Sequence, residues 1–185
     1  MANHSGMRWK ILVLLLSAGI VAFFWWGRWR EHRYDKFIVA AAQKYKMDPA
    51  LIKAICWRES RFHPDVRGSA GELGLMQVRS TAAQEWAAAE KVQEFRHDAC
   101  LNPATNILVG TWYLQHVLRR YRQTDNPVAY ALADYNAGRG NVLKWLNGAA
   151  VTNSEIFVKQ IGFRTTQDYV RVVMRRRDVY NGELR

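Results

Sequence analysis

The sequence predicts an all-α domain preceded by one apolar helix near its N-terminus. Three Asx-Pro pairs each place a capping side chain before a proline at the first helical position: Asp48-Pro49, Asn102-Pro103 and Asn126-Pro127. Apolar residues recur at helical spacing after each pair. No segment alternates apolar and polar residues well enough to predict a strand. We therefore expect a helix-dominated fold whose helices are joined by turns and loops.

Size and charge limit the classes of protein that the chain can be. With 185 residues and 49% hydrophobic content, it can hold one membrane-anchoring segment and one domain of ordinary size. Its net charge of +11 is spread along the chain, which favours a polyanionic partner or surface. We find no zinc-type Cys/His spacing, no phosphate-binding or dinucleotide glycine loop and no nucleic-acid motif. The sequence therefore predicts no metal, no cofactor and no nucleic-acid partner.

The N-terminal region divides into a short tail, residues 1–10, and an apolar run of about 17 residues, residues 11–27. The run ends in Phe23, Phe24, Trp25 and Trp26, whereas a signal-peptidase site needs small residues there. An uncleaved single-pass anchor with an aromatic belt is therefore favoured over a cleaved signal. More basic residues lie after the run than before it, so positive-inside counting favours a cytoplasmic location for the domain on its C-terminal side.

The remaining elements come in order after the anchor. Residues 28–47 are predicted to form a linker that contains a first helix, and residues 48–185 to form the domain. Ser80 or Thr81 can cap a short helix through Trp86, and the helix after Pro127 breaks near Gly138. Two further helices are predicted to open at Asn153 or Ser154 and at Thr165 or Thr166, the second running to Tyr180.

One carboxyl group stands out as a candidate for chemistry. Glu59 ends an apolar helical run, where desolvation would hold its side chain protonated and ready to donate a proton. The chain then passes Gly68, Gly71 and Gly74 before it reaches the amide side chain of Gln77. Such a glycine-containing loop can bring backbone and amide groups close to a bound ligand.

Four blocks of residues, in a fixed order, carry a resemblance to a known family. They are Glu59-Ser60 with Phe62 and Pro64; Gly74-Leu75-Met76-Gln77; Asn102-Pro103 with Asn106-Ile107, Gly110 and Tyr113-Leu114; and Tyr135-Asn136-Ala137-Gly138. A fifth block, Phe163 with Tyr169-Val170, matches in part. In these blocks the chain resembles the lytic transglycosylase catalytic domain of the goose-lysozyme-like type, glycoside hydrolase family 23, over roughly residues 37–180.

This resemblance implies a lysozyme-like fold that cleaves the β-1,4 bond between N-acetylmuramic acid and N-acetylglucosamine in peptidoglycan. Glu59 would protonate the glycosidic oxygen and then act as base on the muramoyl C6 hydroxyl, giving a 1,6-anhydro product without water. The substrate-binding residues implied are Ser60, Met76, Gln77, Tyr135 and Asn136. The residues alone also allow plainer roles: Met76 in the core, Asn136 as a helix cap, and Ser60 bonded to local backbone.

The chain departs from the family pattern at several positions. Asp134 and Glu72 stand where the family usually has alanine, and Thr165 and Gln167 where it usually has glutamate and arginine. A second carboxylate facing the sugar would favour a hydrolytic muramidase, although Asp134 is more simply a solvated or salt-bridged surface residue. A membrane-tethered, non-catalytic peptidoglycan-binding module is the other alternative.

The sequence also bears on the cellular location of the protein and on the redox state of its two cysteines. Peptidoglycan lies outside the cytoplasm, so the resemblance implies a single-pass protein of the bacterial inner membrane whose domain faces the periplasm or cell wall, with further envelope partners unspecified. This orientation conflicts with the positive-inside count. Cys56 and Cys100 could pair as a disulfide or remain buried thiols, since two cysteines define no pattern.

Overall fold

The computed structural model describes residues 4–183, with side chains from residue 9 onward, and it divides at Tyr34 into two compact units. The first unit is one long helix, α1, His4–His32. Its large apolar side chains are exposed on all sides, among them Leu14, Phe23 and Trp25. Within residues 4–183, this N-terminal segment, from Trp9 onward, is the one stretch long and apolar enough to cross a membrane, a property of length and composition alone.

The second unit, Asp35–Arg185, is built from eight α-helices within its described part. They are α2 Asp35–Tyr45, α3 Pro49–Ser60, α4 Ser80–Ala89, α5 Pro103–Arg119, α6 Pro127–Ala137, α7 Arg139–Trp145, α8 Ser154–Gln160 and α9 Arg164–Tyr180. Short 3₁₀ helices span His97–Leu101 and Gly148–Val151. No strand forms in the described residues, and two isolated bridges, Arg67 to Leu73 and Leu73 to Val78, fold the loop after α3. The all-α prediction is confirmed.

Helices α3, α5 and α6 begin where the sequence predicts, but not every predicted side-chain cap is formed. The side chain of Asp48 accepts a hydrogen bond from the Ala50 N–H, and that of Asn102 accepts from two N–H groups of the first turn of α5. Asn126 precedes α6 as predicted but makes no capping bond. The predicted caps at Ser80 and at Thr165 or Thr166 were also wrong, because these residues already lie inside α4 and α9.

Helix α9 is the central packing partner of the helix that carries Glu59. It packs most extensively against α3 and also contacts α6, so it joins the two helices that carry the predicted site residues. Its inner face buries Tyr169, Val170 and Val173, which recur at helical spacing. The helix α2, which we predicted within the linker, lies inside the second unit and buries Ile38 and neighbouring alanines.

The two cysteines are free thiols in this structure, and both are buried. Cys56 is on α3, and Cys100 is in the 3₁₀ helix before α5. Burial raises the pKa of the Cys100 thiol to about 11 and the pKa of Cys56 still further. Both therefore behave as small apolar residues rather than as reactive groups.

Candidate active site

Glu59 lies in the last turn of α3, at the point where the helix gives way to the loop. The chain turns sharply there, because Arg61 and Phe62 both adopt left-handed backbone conformations. Phe62 is buried, which fixes this turn against the core. The Glu59 carboxyl is half-buried, and burial raises its pKa from 4.5 to about 7. The side chain thus holds a proton near neutral pH, as the sequence predicted.

Tyr169 holds the Glu59 carboxyl in place. Its hydroxyl, on the buried face of α9, donates a 2.7 Å hydrogen bond to Glu59 Oε1. This bond favours the ionised carboxylate and so opposes the effect of burial on the Glu59 pKa. The charge of Glu59 also contributes to raising the pKa of Tyr135, after burial, which puts the α6 phenol within electrostatic range of the carboxyl. The structure therefore brings α3, α6 and α9 together around Glu59.

The side-chain amide of Asn106, on α5, holds the loop after α3 in place. Its amide oxygen accepts from the Met76 N–H at 2.8 Å, and its amide nitrogen donates to the Leu73 and Cys100 carbonyls, both at 2.7 Å. Asn106 is fully buried, so these three bonds replace its solvation. Gly74 adopts φ +74°, and a Cβ there would lie 2.4 Å from the Asn106 amide nitrogen. Loop and amide are therefore fitted closely to one another.

Ser60 and Met76, which the resemblance predicts as substrate-binding residues, are both buried in this structure. The Ser60 hydroxyl is buried and directed at the Cys56 and Leu75 carbonyls, at 3.0 and 2.9 Å. Met76 is 0% exposed, and a Cβ on Gly110 would lie 2.6 Å from its sulfur. Both side chains stabilise the loop from within, so the plainer interpretations of these two residues fit the structure.

Gln77 and Tyr135 both line one small pocket and are half-buried. Gln77 adopts φ +48°, uncommon for a residue other than glycine, and its amide nitrogen donates to the Gly74 and Val66 carbonyls at 2.9 and 3.1 Å. The Tyr135 hydroxyl donates to the Met76 carbonyl at 2.8 Å. Each side chain therefore has a fixed position before any ligand binds.

Side chains of α9 form hydrogen bonds with both Asn136 and Glu59. Its amide oxygen accepts a 2.8 Å hydrogen bond from the Thr166 hydroxyl. Thr166 and Tyr169 are three residues apart on α9 and share one helix face. One turn of α9 thus positions the acid from α3 and the amide from α6 together.

The departures from the family pattern have structural explanations in three cases. Asp134 is buried rather than on the surface, and its Oδ2 accepts from the Tyr121 hydroxyl at 2.7 Å and pairs with Arg120 at 3.1 Å. Glu72 pairs with Arg79 at 3.0 Å and accepts from the Ala70 N–H. The Gln167 amide donates to the Val158 carbonyl at the end of α8. Nothing in the structure explains Thr165, which is exposed.

Tyr169 and Thr166 are the site residues that sequence reasoning missed. The sequence places Tyr169 only in a motif block that matches in part, and it suggests Thr166 only as a helix cap. Their spacing of three residues on a predicted helix was the available signal. This spacing could not predict that Tyr169 contacts Glu59, which lies 110 residues away in the chain.

Replacing Tyr169 with phenylalanine tests its effect on Glu59. We expect Tyr169→Phe to raise the Glu59 pKa above about 7, because the variant loses a bond that stabilises the carboxylate. If protonated Glu59 starts the reaction, the alkaline limb of the pH profile of kcat/KM should move up by about one pH unit. A lower rate with an unmoved limb would mean that Tyr169 only packs against α3.

The structure thus defines a helical domain in which α3, α6 and α9 surround Glu59, a carboxyl whose pKa burial raises to about 7. The family model described as "Transglycosylase SLT domain" matches residues 36–158. The chain belongs to this family.

Related sequences and structures agree with this assignment. The chain is similar to the soluble lytic murein transglycosylases of Salmonella typhimurium and Escherichia coli, at 38% and 32% identity over 80% of this chain. It covers only 24% of the length of these relatives. It is also 36% identical to the membrane-bound lytic murein transglycosylase C of Salmonella paratyphi B, over 62% of this chain and 34% of that protein.

Solved structures show the same fold. A lytic transglycosylase Slt of Pseudomonas aeruginosa, an inactive mutant with one glutamate changed to glutamine, superposes with a TM-score of 0.75 at 27% identity, covering 83% of this chain and 24% of that one. The 70 kDa soluble lytic transglycosylase of Escherichia coli gives 0.73 at 29% identity, with 82% and 24% coverage.

Proposed function

We propose that this protein is a membrane-anchored lytic transglycosylase that cleaves the β-1,4 bond between N-acetylmuramic acid and N-acetylglucosamine in peptidoglycan. The observation that carries the proposal is the Glu59 carboxyl, half-buried, bonded to Tyr169 and with its pKa raised to about 7. Family membership and the named activities of the relatives support the substrate class. The inactive Glu-to-Gln form of the Pseudomonas enzyme supports a glutamate as the group that performs the chemistry.

The chemistry needs one group that is first an acid and then a base. Protonated Glu59 gives its proton to the glycosidic oxygen as the bond from that oxygen to C1 breaks. The resulting carboxylate then takes the proton of the muramoyl C6 hydroxyl, whose oxygen bonds to C1 and closes the 1,6-anhydro ring. Glu59 ends protonated again, so the cycle consumes no water. A pKa near 7 serves both half-reactions at neutral pH.

The surrounding carboxylates favour this route over hydrolysis. A hydrolase of the inverting or retaining type requires a second carboxyl group to activate water or to attack the sugar. In the described part of the domain, Asp134 and Glu72 are the two candidates raised by the sequence, and both are held by arginine. Backbone N–H groups and Arg79 outweigh burial and keep the pKa of Glu72 below its usual range. Both acids are therefore already ion-paired with an arginine.

Product analysis in isotopic water tests the reaction directly. The chain is incubated with purified peptidoglycan in H₂¹⁸O, and the released muropeptides are measured by mass spectrometry. We expect 1,6-anhydro-muramoyl ends without ¹⁸O. Reducing ends that carry ¹⁸O would establish a hydrolase instead. Glycan binding without any product would indicate a tethered binding module.

We further propose that α1 anchors the domain in the bacterial inner membrane with the domain on the periplasmic side. The apolar side chains exposed along α1 support an anchor, and the extracytoplasmic location of peptidoglycan supports the orientation against the positive-inside count. A membrane-bound relative in the same family is consistent with this arrangement.

A single introduced cysteine tests the orientation. Gln84 is exposed on α4, whereas Cys56 and Cys100 are buried thiols with raised pKa values and should not react. In intact spheroplasts, we expect a membrane-impermeant maleimide to label the Gln84→Cys chain and to leave the unsubstituted chain unlabelled. Labelling that appears only after lysis would place the domain in the cytoplasm.

A further inference from the structure

Arginine side chains lie around Trp57 on the surface that α3 shares with α9. The guanidinium carbons of Arg61 and Arg176 lie 3.3 and 4.1 Å from the centroid of the Trp57 ring. A groove of about 270 Å³ opens beside this ring and is lined by Trp57, Val172, Arg175, Arg176 and Val179. We call these five residues, together with Arg61, the Trp57 patch.

The Trp57 patch concentrates positive charge. Because Arg61 and Arg176 share one ring, their guanidinium groups lie within the Debye length of about 8 Å at physiological ionic strength. Burial, followed by repulsion from Arg176 and Arg58, lowers the pKa of Arg61. Among residues 9–183, Arg61 and Arg175 have no ion-pair partner. An anionic partner would offset this charge.

Exposed apolar area lies beside the arginines. Val179 is 51% exposed, and Trp57 and Val172 are half-buried in the same groove. Protein surfaces that lie on lipid combine basic residues with tryptophan and aliphatic side chains, because anionic headgroups adjoin the acyl chains there. A soluble acidic polymer would offset the arginines but leave Val179 in water. The composition of the patch therefore favours an anionic lipid surface.

The patch lies close to Asp35, the first residue of the second unit. Lys53 Nζ is 2.8 Å from the Asp35 carboxylate and 5.0 Å from the centroid of the Tyr180 ring. The Arg176 guanidinium carbon is 5.3 Å from the same centroid. Asp35 follows His32, the end of α1, by three residues, so chain length alone keeps the two within about 11 Å of each other. With α1 in a membrane, this end of the domain stays near the lipid surface.

We propose that the Trp57 patch docks the domain on anionic lipid headgroups of the membrane that holds α1. The arginines bind headgroup phosphates, while Trp57 and Val179 enter the boundary between headgroups and acyl chains. Trp57 and Glu59 are two residues apart on α3 and do not share a helix face, so docking does not cover Glu59. The proposal rests on the proposed function for the anchor, and it adds which side of the domain lies on the membrane.

Fluorescence quenching in lipid nanodiscs tests the docking. The full chain carrying Val179→Cys is labelled with a maleimide dye, while the buried thiols of Cys56 and Cys100 should not react. It is reconstituted into discs of phosphatidylcholine alone or with phosphatidylglycerol, each containing a lipid with a nitroxide quencher at the headgroup. We expect strong quenching in the phosphatidylglycerol discs and little in the neutral ones. Equal quenching in both would overturn the proposal.

Gln84→Cys is the matched control for the position of the dye. Gln84 is exposed on α4, and Trp86 of the same helix donates a 3.0 Å hydrogen bond to the Tyr45 hydroxyl, at the end of α2 opposite to Asp35. A dye at Gln84 should therefore remain unquenched in both kinds of disc. Equal quenching of the two dyes would mean that the domain has no defined docking face.

Charge removal tests the arginines. Arg61→Gln combined with Arg175→Gln should lower the docked-to-undocked ratio about thirtyfold, since each arginine near an anionic surface contributes about a factor of five. Arg119→Gln with Arg122→Gln removes the same charge from exposed residues near the C-terminal end of α5 and should leave the ratio unchanged. About 1 M salt, where the Debye length is about 3 Å, should release the Val179 dye. Equal effects of the two arginine pairs would contradict docking through the patch.

The same preparations separate this proposal from the proposed function. Quenching needs no turnover, so a chain that releases no product from peptidoglycan fails the proposed reaction and still tests the docking. A chain that does not co-elute with neutral discs lacks the anchor, and its binding to phosphatidylglycerol discs then measures the patch alone. If peptidoglycan fragments in detergent change the emission of the Val179 dye and phosphatidylglycerol does not, the patch binds a wall polymer and lipid docking is wrong.

Discussion

Glu59→Gln should abolish the formation of 1,6-anhydro ends, with kcat reduced by at least about a thousandfold. Glutamine keeps the shape of the side chain and can still accept the Tyr169 hydrogen bond, but it has no proton to give to the glycosidic oxygen. It also cannot become the base for the C6 hydroxyl, so both half-reactions are lost. Muropeptide release from purified peptidoglycan, followed by mass spectrometry, measures this effect. Glu85→Gln, on the exposed face of α4, is the matched control and should keep full activity.

Stability against pH shows whether the Glu59→Gln chain is folded and whether Glu59 is as desolvated as the structure indicates. The folded-state pKa of Glu59 is about 7, above the value of 4.5 expected when unfolded. As pH rises from about 4.5 to 7, the unfolded chain ionises Glu59 while the native protein keeps it protonated, so the native protein loses about 3 kcal/mol of stability. Glutamine carries no such cost. Above pH 7 the variant should unfold at a higher temperature than the native protein, and at pH 4 the two should agree.

Two results would contradict this account. Residual anhydro products from a folded Glu59→Gln chain would mean that another group is the acid. A variant that is no more stable than the native protein at pH 8 would mean that Glu59 is solvated and its pKa ordinary. The first result would redirect attention to the carboxylates near the cleft, Glu72 and Asp134.

Local signals in the sequence were sufficient to predict the starts of α3 and α5 and to identify Glu59 as the candidate acid. Asp48 and Asn102 cap helices because the side chain, the following proline and the first N–H groups are neighbours in the chain. Glu59 could be identified because its apolar helix, α3, already predicts desolvation. In both cases the determining contacts lie within a few residues.

Contacts between distant segments could not be predicted in this way. The sequence does not show that Tyr169 meets Glu59, or that Asp134 is buried between Tyr121 and Arg120. It also does not show that the Met76 side chain packs beside Gly110. Neighbours in a motif can differ in burial, since Met76 is fully buried and Gln77, the next residue, is half-buried.

Asn106 is the residue outside the chemistry whose loss should cost most. Asn106→Ala would leave the Met76 N–H and the Leu73 and Cys100 carbonyls without their partner in a fully buried place. Each such group costs about 1–3 kcal/mol, so we expect the free energy of unfolding to fall by about 3 kcal/mol or more. Denaturant titration of the domain measures this change.

The control for Asn106→Ala is Asn141→Ala, because the Asn141 side chain is only half-buried: it donates to the Ala137 carbonyl and accepts a 3.4 Å hydrogen bond from the exposed Lys144. It should cost less than about 1 kcal/mol. The Asn106 variant should also lose activity under conditions where it remains folded, since the Met76 carbonyl that receives the Tyr135 hydroxyl belongs to the same loop. Equal stability losses in the two asparagine variants would show that the loop is held by its own turn and not by α5. Normal activity in a folded Asn106→Ala chain would show that the cleft does not depend on this support.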